Sequence, residues 1–325
     1  MGFLTNRNIS EAGCGWHCSH RSGFLDQPEH LNEALSGVVP SIGRVSSRPA
    51  EPTGGRTWDT LRDAADQHTP ALHAVRPAGP GCCAVCRGRA PAGFRHCYRC
   101  SSHRRCAPGL LADLVVPISY SVGGTAYSAA LWQYKSAVAE TASRDIARTA
   151  LRLRLLVFLH DHGPCLWSHA GVGAPTHVAV VPSGRGCAGT HPLRVLAEPY
   201  LTLPWAGLVI RPGELVLGRD MRVDRFRATG RLANARVLLL DDTWTSGASA
   251  QSAAAALKLA GARSVVTVIL GRHLNPSKPH LKSFIAGLAE YPFRRDVCAV
   301  HKPEQTGSAK RNTAGIPVNS CTSRN

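Results

Sequence analysis

Acidic residues are scarce in this 325-residue chain: 21 Asp and Glu stand against 38 Lys and Arg, a formal net charge of +17. That balance favours anionic ligands such as phosphate esters, nucleotides or nucleic acid. Aromatic residues make up only 6%, so no ladder of rings accompanies the charge in the way that single-stranded bases are usually stacked. No apolar run approaches the ~18 residues that suggest a membrane-spanning helix. No signal-peptide pattern opens the chain, and Asn6 spoils a myristoylation pattern. The expectation is a soluble cytoplasmic protein with no membrane partner. Internal repeats are lacking. So are G-x-x-x-x-G-K-[ST], which excludes a Walker-type nucleotide loop, and a complete G-x-G-x-x-G after any expected strand, which excludes a dinucleotide fingerprint. No Ser/His/Asp or Cys/His signature of nucleophilic catalysis is evident, and Cys165, Cys187, Cys298 and Cys321 stand isolated in sequence.

What is present concentrates in Val237-Leu238-Leu239-Leu240-Asp241-Asp242-Thr243-Trp244-Thr245-Ser246-Gly247-Ala248-Ser249. The run Val237 to Leu240 is short, continuous and not alternating, which suits a strand covered on both faces in a parallel sheet. Ser249 through Leu259 reads as a helix closed by Gly261, and Ser264 to Leu270 supplies a second buried strand. In such a right-handed strand-helix-strand unit the first turn lies at the carboxyl edge of the sheet, where open α/β folds bind ligands. Backbone N–H groups of Ser246, Gly247, Ala248 and Ser249, with the hydroxyls of Thr245 and Ser249, would surround a phosphate at the helix N-terminus. Asp241 and Asp242 cannot bind phosphate themselves; sugar hydroxyls or a divalent cation suit them. The competing reading is a strand end followed by an ordinary helix cap.

This stretch resembles the phosphoribosyl-pyrophosphate (PRPP) motif of type I phosphoribosyltransferases. The resemblance implies that Asp241 and Asp242 hold the ribose hydroxyls, with Mg²⁺, while Thr245 to Ser249 hold the 5′-phosphate. Trp244 replaces the usual aliphatic residue, where a large ring would narrow or cover the sugar pocket. Ser183-Gly184-Arg185-Gly186, after the strand-like His177 to Pro182, resembles the family's pyrophosphate loop, with Arg185 as donor to the leaving group. The arginine-rich span Arg211 to Arg231 fits the family's mobile closing loop, with Arg225 its preferred residue. The catalytic set expected from the resemblance is therefore Asp241, Asp242, Arg185 and Arg225.

A second signal is Cys83-x2-Cys86, ten residues, then Cys97-x2-Cys100. Two paired knuckles match a closed tetrahedral, structural Zn²⁺ site. Cys82, Cys106, His96 and His103 lie near enough in sequence to substitute. Residues 81–108 also carry Arg87, Arg89, Arg95, Arg99, Arg104 and Arg105 with no acidic residue. The arginines would either offset the negative charge of a four-thiolate zinc centre or form a patch for nucleic-acid phosphates.

A zinc knuckle ahead of a PRPP motif narrows the resemblance to the ComF-type phosphoribosyltransferase-like proteins, associated with competence and DNA uptake. It spans about residues 82–275, including a strand at Leu114 to Ser121 and Leu131-Trp132-Gln133-Tyr134-Lys135 on a helix, and departs at Gly186 to Pro192. The expected architecture is α/β, a parallel-sheet type I phosphoribosyltransferase fold preceded by a small zinc-binding module. Residues 1–80 read as a disordered extension with a weak helix near Trp58 to Asp66, 81–108 as the zinc module, 109–280 as the phosphoribosyltransferase-like domain and 281–325 as an irregular tail. The expected activity is transfer of a phosphoribosyl group from PRPP to an unidentified nitrogenous acceptor with release of pyrophosphate. The alternative is a non-catalytic nucleic-acid-handling protein that binds single-stranded DNA and keeps a regulatory or vestigial PRPP site. The oligomeric state stays open between monomer and homodimer. Glutamine-derived ammonia is not expected, because Gly2 follows Met1 and residues 1–80 are too few for a glutaminase domain.

Overall fold

The structure is a computed structural model and describes residues 58–68, 72–183, 190–211 and 220–300. Its centre is a four-stranded parallel sheet built from β1 (Leu114–Val122), β2 (His177–Val180), β5 (Arg236–Trp244) and β6 (Ser264–Leu274), in the order β1-β6-β5-β2. A separate antiparallel pair, β3 (Leu208–Ile210) and β4 (Phe226–Ala228), stands beside it. The chain is thus a mixed α/β protein with a parallel sheet.

Alternation along the strands splits the core in two. Leu238, Leu240, Val266 and Val268 face helices α3 (Ala126–Gln133), α4 (Thr141–His169) and α5 (Pro192–Ala197), where Tyr127, Leu151, Leu155, Phe158 and Leu193 meet them. Val237, Leu239, Val265 and Ile269 face helix α6 (Ala248–Leu259), packed through Ala250, Ala253, Ala254 and Ala256. The connection after β1 therefore crosses one face and the connection after β5 the other, so their loops part at the carboxyl edge, the usual place for a ligand crevice.

The strand-helix-strand unit is longer than its hydrophobic run suggests. Pairing of β5 with β6 continues past Leu240 through Asp241↔Ile269, Thr243↔Gly271 and Trp244↔Arg272. The apolar pattern reports only the part of the strand inside the core, whereas the hydrogen-bond ladder runs on to the polar edge. Helix α6 starts at Ala248 after Gly247, whose φ of 81° is in the left-handed region, and its end is turned by Gly261 at φ 101°.

Outside the sheet, residues 1–80 are not irregular throughout. Helix α1 (Trp58–His68) buries Trp58, Leu61 and Ala65 against Leu153 and Val157 of α4, and Arg62 grips Asp161 at 2.6 Å. Before the tail's last residues, helix α7 (Lys282–Ala286) sets Phe284 edge-on to Tyr120 at 5.8 Å, which fixes this segment under β1. No described helix is long and apolar enough to cross a membrane.

Candidate functional site

At the carboxyl edge of β5 the two carboxylates have different surroundings. Asp242 is buried at 7% exposure, accepts from the Tyr134 hydroxyl at 2.5 Å and pairs with Lys135 Nζ at 2.8 Å. Helix α3 stops at Gln133, so Tyr134 and Lys135 lie just beyond it rather than on it as the sequence suggested; the helix end delivers both to the strand. Burial works against charge on Asp242, but Lys135, Tyr134 and His191 outweigh it and hold the pKa below the usual carboxylate range. Asp241 is half-buried, and burial followed by the charge of Asp242 drives its pKa up, opposed by Lys135 and by N–H groups of Asp242 and Thr243. The pair thus holds one firm anion and one carboxyl that keeps its proton into the neutral range. His191 caps α5 by accepting from Leu193 N at 3.2 Å, and burial lowers its pKa, as does Lys135, against the pull of Asp242.

The turn after β5 has exposed Thr245, half-buried Ser246 and Ser249, and buried Gly247 and Ala248. Ser246 Oγ accepts from Ala248 N at 3.3 Å, and α6 has no side-chain cap of its own at Gly247. Apart from Ala248 N–H, the opening turn of the helix carries N–H groups that no residue further back in the helix can accept. Trp244 does not cover this turn. Its ring is 1% exposed, packed in the α6-side core, and a Cβ on Gly247 would lie inside it. Glycine is required here both for backbone angle and for ring contact.

Arg225 reaches the same turn, donating to Ser249 Oγ at 3.0 Å and to Asp220 O at 3.1 Å. It is buried at 5% exposure, directly before β4, which pairs with β3 through Leu208↔Ala228 and Ile210↔Phe226. The span expected to be a mobile loop thus includes strand β4, and Arg225 within it reaches the turn after β5; residues 212–219 of that span lie outside the described residues. Ser183 follows β2 at the same sheet edge, while Gly184 and Arg185 lie outside the described residues.

The sulfurs of Cys83, Cys86, Cys97 and Cys100 lie within 4.8 Å of one another and could hold a metal ion. Cys86 and Cys97 sulfurs are 3.7 Å apart, close to the edge of a tetrahedron with ~2.3 Å zinc–sulfur bonds. Hydrogen bonds from Cys100 pull the Cys83 and Cys86 pKa values down, Cys86 to about 6, while Cys83 foremost drives Cys100 up. Four thiols so placed cannot all ionise without a cation, and the donor set fits zinc. The alternative ligands drop out: Cys82 points to the carbonyls of Arg87 and Arg76, and burial raises its pKa to about 11. Cys106 is exposed, and neither His96 nor His103 joins the cluster. Of the knuckle's arginines, Arg87 is structural, buried with its guanidinium on Ala299 O. Arg89, Arg95, Arg104 and Arg105 are exposed, beside Phe94 at 65% and Tyr98 at 73% exposure.

No protein-family model matches this chain, and no curated protein does. Among solved structures it is similar to a purine phosphoribosyltransferase from Pyrococcus horikoshii Ot3, at 14% identity and a TM-score of 0.25, with 39% of this chain and 89% of that one covered. The likeness is distant.

Residues that sequence reasoning left out of the site are Tyr134, Lys135, His191 and Arg272. The first three surround Asp242 from segments far along the chain, and only the fold shows it. Two cysteines read as isolated are not: Cys165, His162 and Cys298 bring their ligand atoms within 4.8 Å of one another.

Proposed function

We propose that the chain binds PRPP with Mg²⁺ and, as a phosphoribosyltransferase, passes the phosphoribosyl group to a nitrogen nucleophile with loss of pyrophosphate. The observation that carries this reading is Asp242. It is a buried carboxylate held ionised by Tyr134 and Lys135, one turn away from a glycine-started helix at a parallel-sheet carboxyl edge. A fixed anion there suits the 2′ and 3′ hydroxyls of a ribose, and the N–H groups from Ser246 to Ser249 suit its 5′-phosphate. Mg²⁺, when bound, would neutralise pyrophosphate oxygens as the bond to C1′ breaks. Asp241 and Asp242 orient the sugar, Lys135 keeps Asp242 charged, and Arg225 keeps Ser249 in place. The nitrogen–C1′ bond forms as the carbon–oxygen bond breaks, and the nitrogen's proton leaves to solvent. Positioning and charge do this work without a protein nucleophile.

Calorimetry with PRPP and Mg²⁺ tests the reading. Wild type binds, and Asp241→Ala/Asp242→Ala loses binding by ~100-fold or more, two hydrogen-bonded anionic contacts at ~1.5–3 kcal/mol each. Equal or absent binding in both sinks it, and circular dichroism on the variant checks the fold. A pyrophosphate-release screen across purine, pyrimidine and amine acceptors then names the acceptor class.

Exposed Phe94 and Tyr98 among Arg89, Arg95, Arg104 and Arg105 favour a second reading, single-stranded DNA binding at the knuckle. It predicts salt-sensitive binding that drops on Arg104→Ala/Arg105→Ala, whereas Arg87, being buried, is the wrong residue to change. Affinity indifferent to salt and to both substitutions removes this reading.

A further inference from the structure

Arg272 lies on β6 opposite Trp244, and one of its terminal nitrogens donates to three carbonyls: Trp244 O at 3.0 Å, Thr245 O at 3.2 Å and His273 O at 2.6 Å. Two of those carbonyls belong to the turn that leads into the phosphate-binding N–H groups. Its other terminal nitrogen passes beneath the cysteine knuckle, where a Cβ on Gly88 would come within 2.5 Å of it. Its Nε is buried and has no hydrogen-bond partner among the described residues. Gly88 stands between Cys86 and Cys97, and its carbonyl accepts from Cys83 N at 2.8 Å, so the part of the knuckle that lies against the guanidinium is tied directly to a cysteine of the cluster.

We propose that Arg272 is a positioning residue that couples the four-cysteine metal site to the phosphate turn, so that metal loading of the knuckle and PRPP binding at Thr245 to Ser249 strengthen each other. This rests on the PRPP reading above. A cation held by Cys83, Cys86, Cys97 and Cys100 would fix the loop between them and so hold Gly88 against the guanidinium, and the guanidinium in turn fixes the carbonyls of Trp244 and Thr245. The next peptide units supply the phosphate donors. When metal leaves, the loop that carries Gly88 is no longer held against the guanidinium, and the hold of Arg272 on the turn relaxes. Linkage makes the effect reciprocal: whatever metal does for PRPP affinity, PRPP does for the metal site. The two sites share no ligand, so the coupling has to pass through a residue that touches both, and Arg272 does.

The full chain loaded with Co²⁺ in place of zinc provides a direct readout in its thiolate-to-metal absorption. Titrating PRPP with Mg²⁺ is expected to shift that band with the midpoint that calorimetry gives for binding. In Arg272→Gln, PRPP binding persists but is weakened ~10-fold, and the band no longer responds. Arg272→Lys restores part of the affinity through its charge but not the band shift, because the two-ended guanidinium fork is missing. Gly88→Ala, which keeps the charge and pushes the guanidinium aside, reproduces the Arg272→Gln result and carries the test should that variant fold poorly. A band that stays still in wild type while calorimetry reports PRPP binding overturns the coupling alone, as does a shift of equal size in Arg272→Gln. No calorimetric binding to wild type overturns the PRPP reading and the coupling with it.

Discussion

The two faces of the sheet are built from different materials. Toward α4 the core is Leu151, Leu155, Phe158, Leu166 and Trp167, large side chains on a 29-residue helix, joined by Tyr127 of α3. Toward α6 the helix offers Ala250, Ala253, Ala254, Ala256 and Leu257, with Phe226, Trp244 and the cysteines Cys83, Cys86 and Cys100 packed into the same cluster. Large apolar side chains stabilise a face by burial alone, about 1.5–3 kcal/mol for each one fully buried. Alanines let a helix lie close but contribute little area, so the second face leans on Phe226, Trp244 and the cysteine knuckle with whatever those thiols hold. The candidate site straddles the division: Asp242 is secured from the α4 side by Tyr134 and Lys135, and the turn after β5 from the α6 side by Arg225 and Arg272.

Metal removal breaks this comparison most sharply. Structural zinc supplies ~10–16 kcal/mol of apparent binding free energy in small domains, so chelation or Cys86→Ser is expected to loosen the α6 face first. With 5-fluorotryptophan incorporated, the Trp244 resonance should lose its packed shift while Trp167, on the other face, keeps its own. Equal loss at both rings means one cooperative core and ends the distinction.

A smaller effect sharpens the contrast between the two carboxylates. The Asp241 pKa is pushed up to about 8, chiefly by burial and then by Asp242. On the proposed PRPP reading, below that pH its proton must leave before the carboxylate can serve the sugar hydroxyls or Mg²⁺. Affinity for PRPP with Mg²⁺ should therefore climb with pH, by up to ~tenfold per unit, the ~1.4 kcal/mol that one unit represents, and level off above about 8. Asp241→Asn should flatten that part of the profile. Asp242, held below the usual carboxylate range, adds no step there; calorimetry in buffers of different ionisation enthalpy counts the released proton directly. A profile unchanged by Asp241→Asn places the titration elsewhere.

What the chain declares locally, it declares well. Val237 to Leu240, Gly247 and Gly261 announce strand, turn and helix end, because burial and left-handed backbone leave marks on single residues. The cysteine knuckle is legible for the same reason: ligand spacing is a local property. The extension of β5 to Trp244 was hidden, since a polar strand end carries no apolar signal. The partners of Asp242 were hidden more deeply. Tyr134 and Lys135 stand 108 and 107 residues away, and nothing in their own neighbourhood marks them as holders of a carboxylate. Arg272 reads as one arginine at the end of a strand until the knuckle is folded over it. Trp244 was misjudged because a turn sequence shows which residues are near the ligand but not which way a ring points.

That ring has a consequence for how such a chain can change over generations. With Trp244 filling the space where a Cβ of residue 247 would stand, neither position can drift freely. Replacement of Gly247 is closed twice, by the indole and by a φ of 81°, so a smaller residue at 244 opens a hole beneath the turn without opening a choice at 247. Related chains should therefore keep glycine at 247 whatever stands at 244.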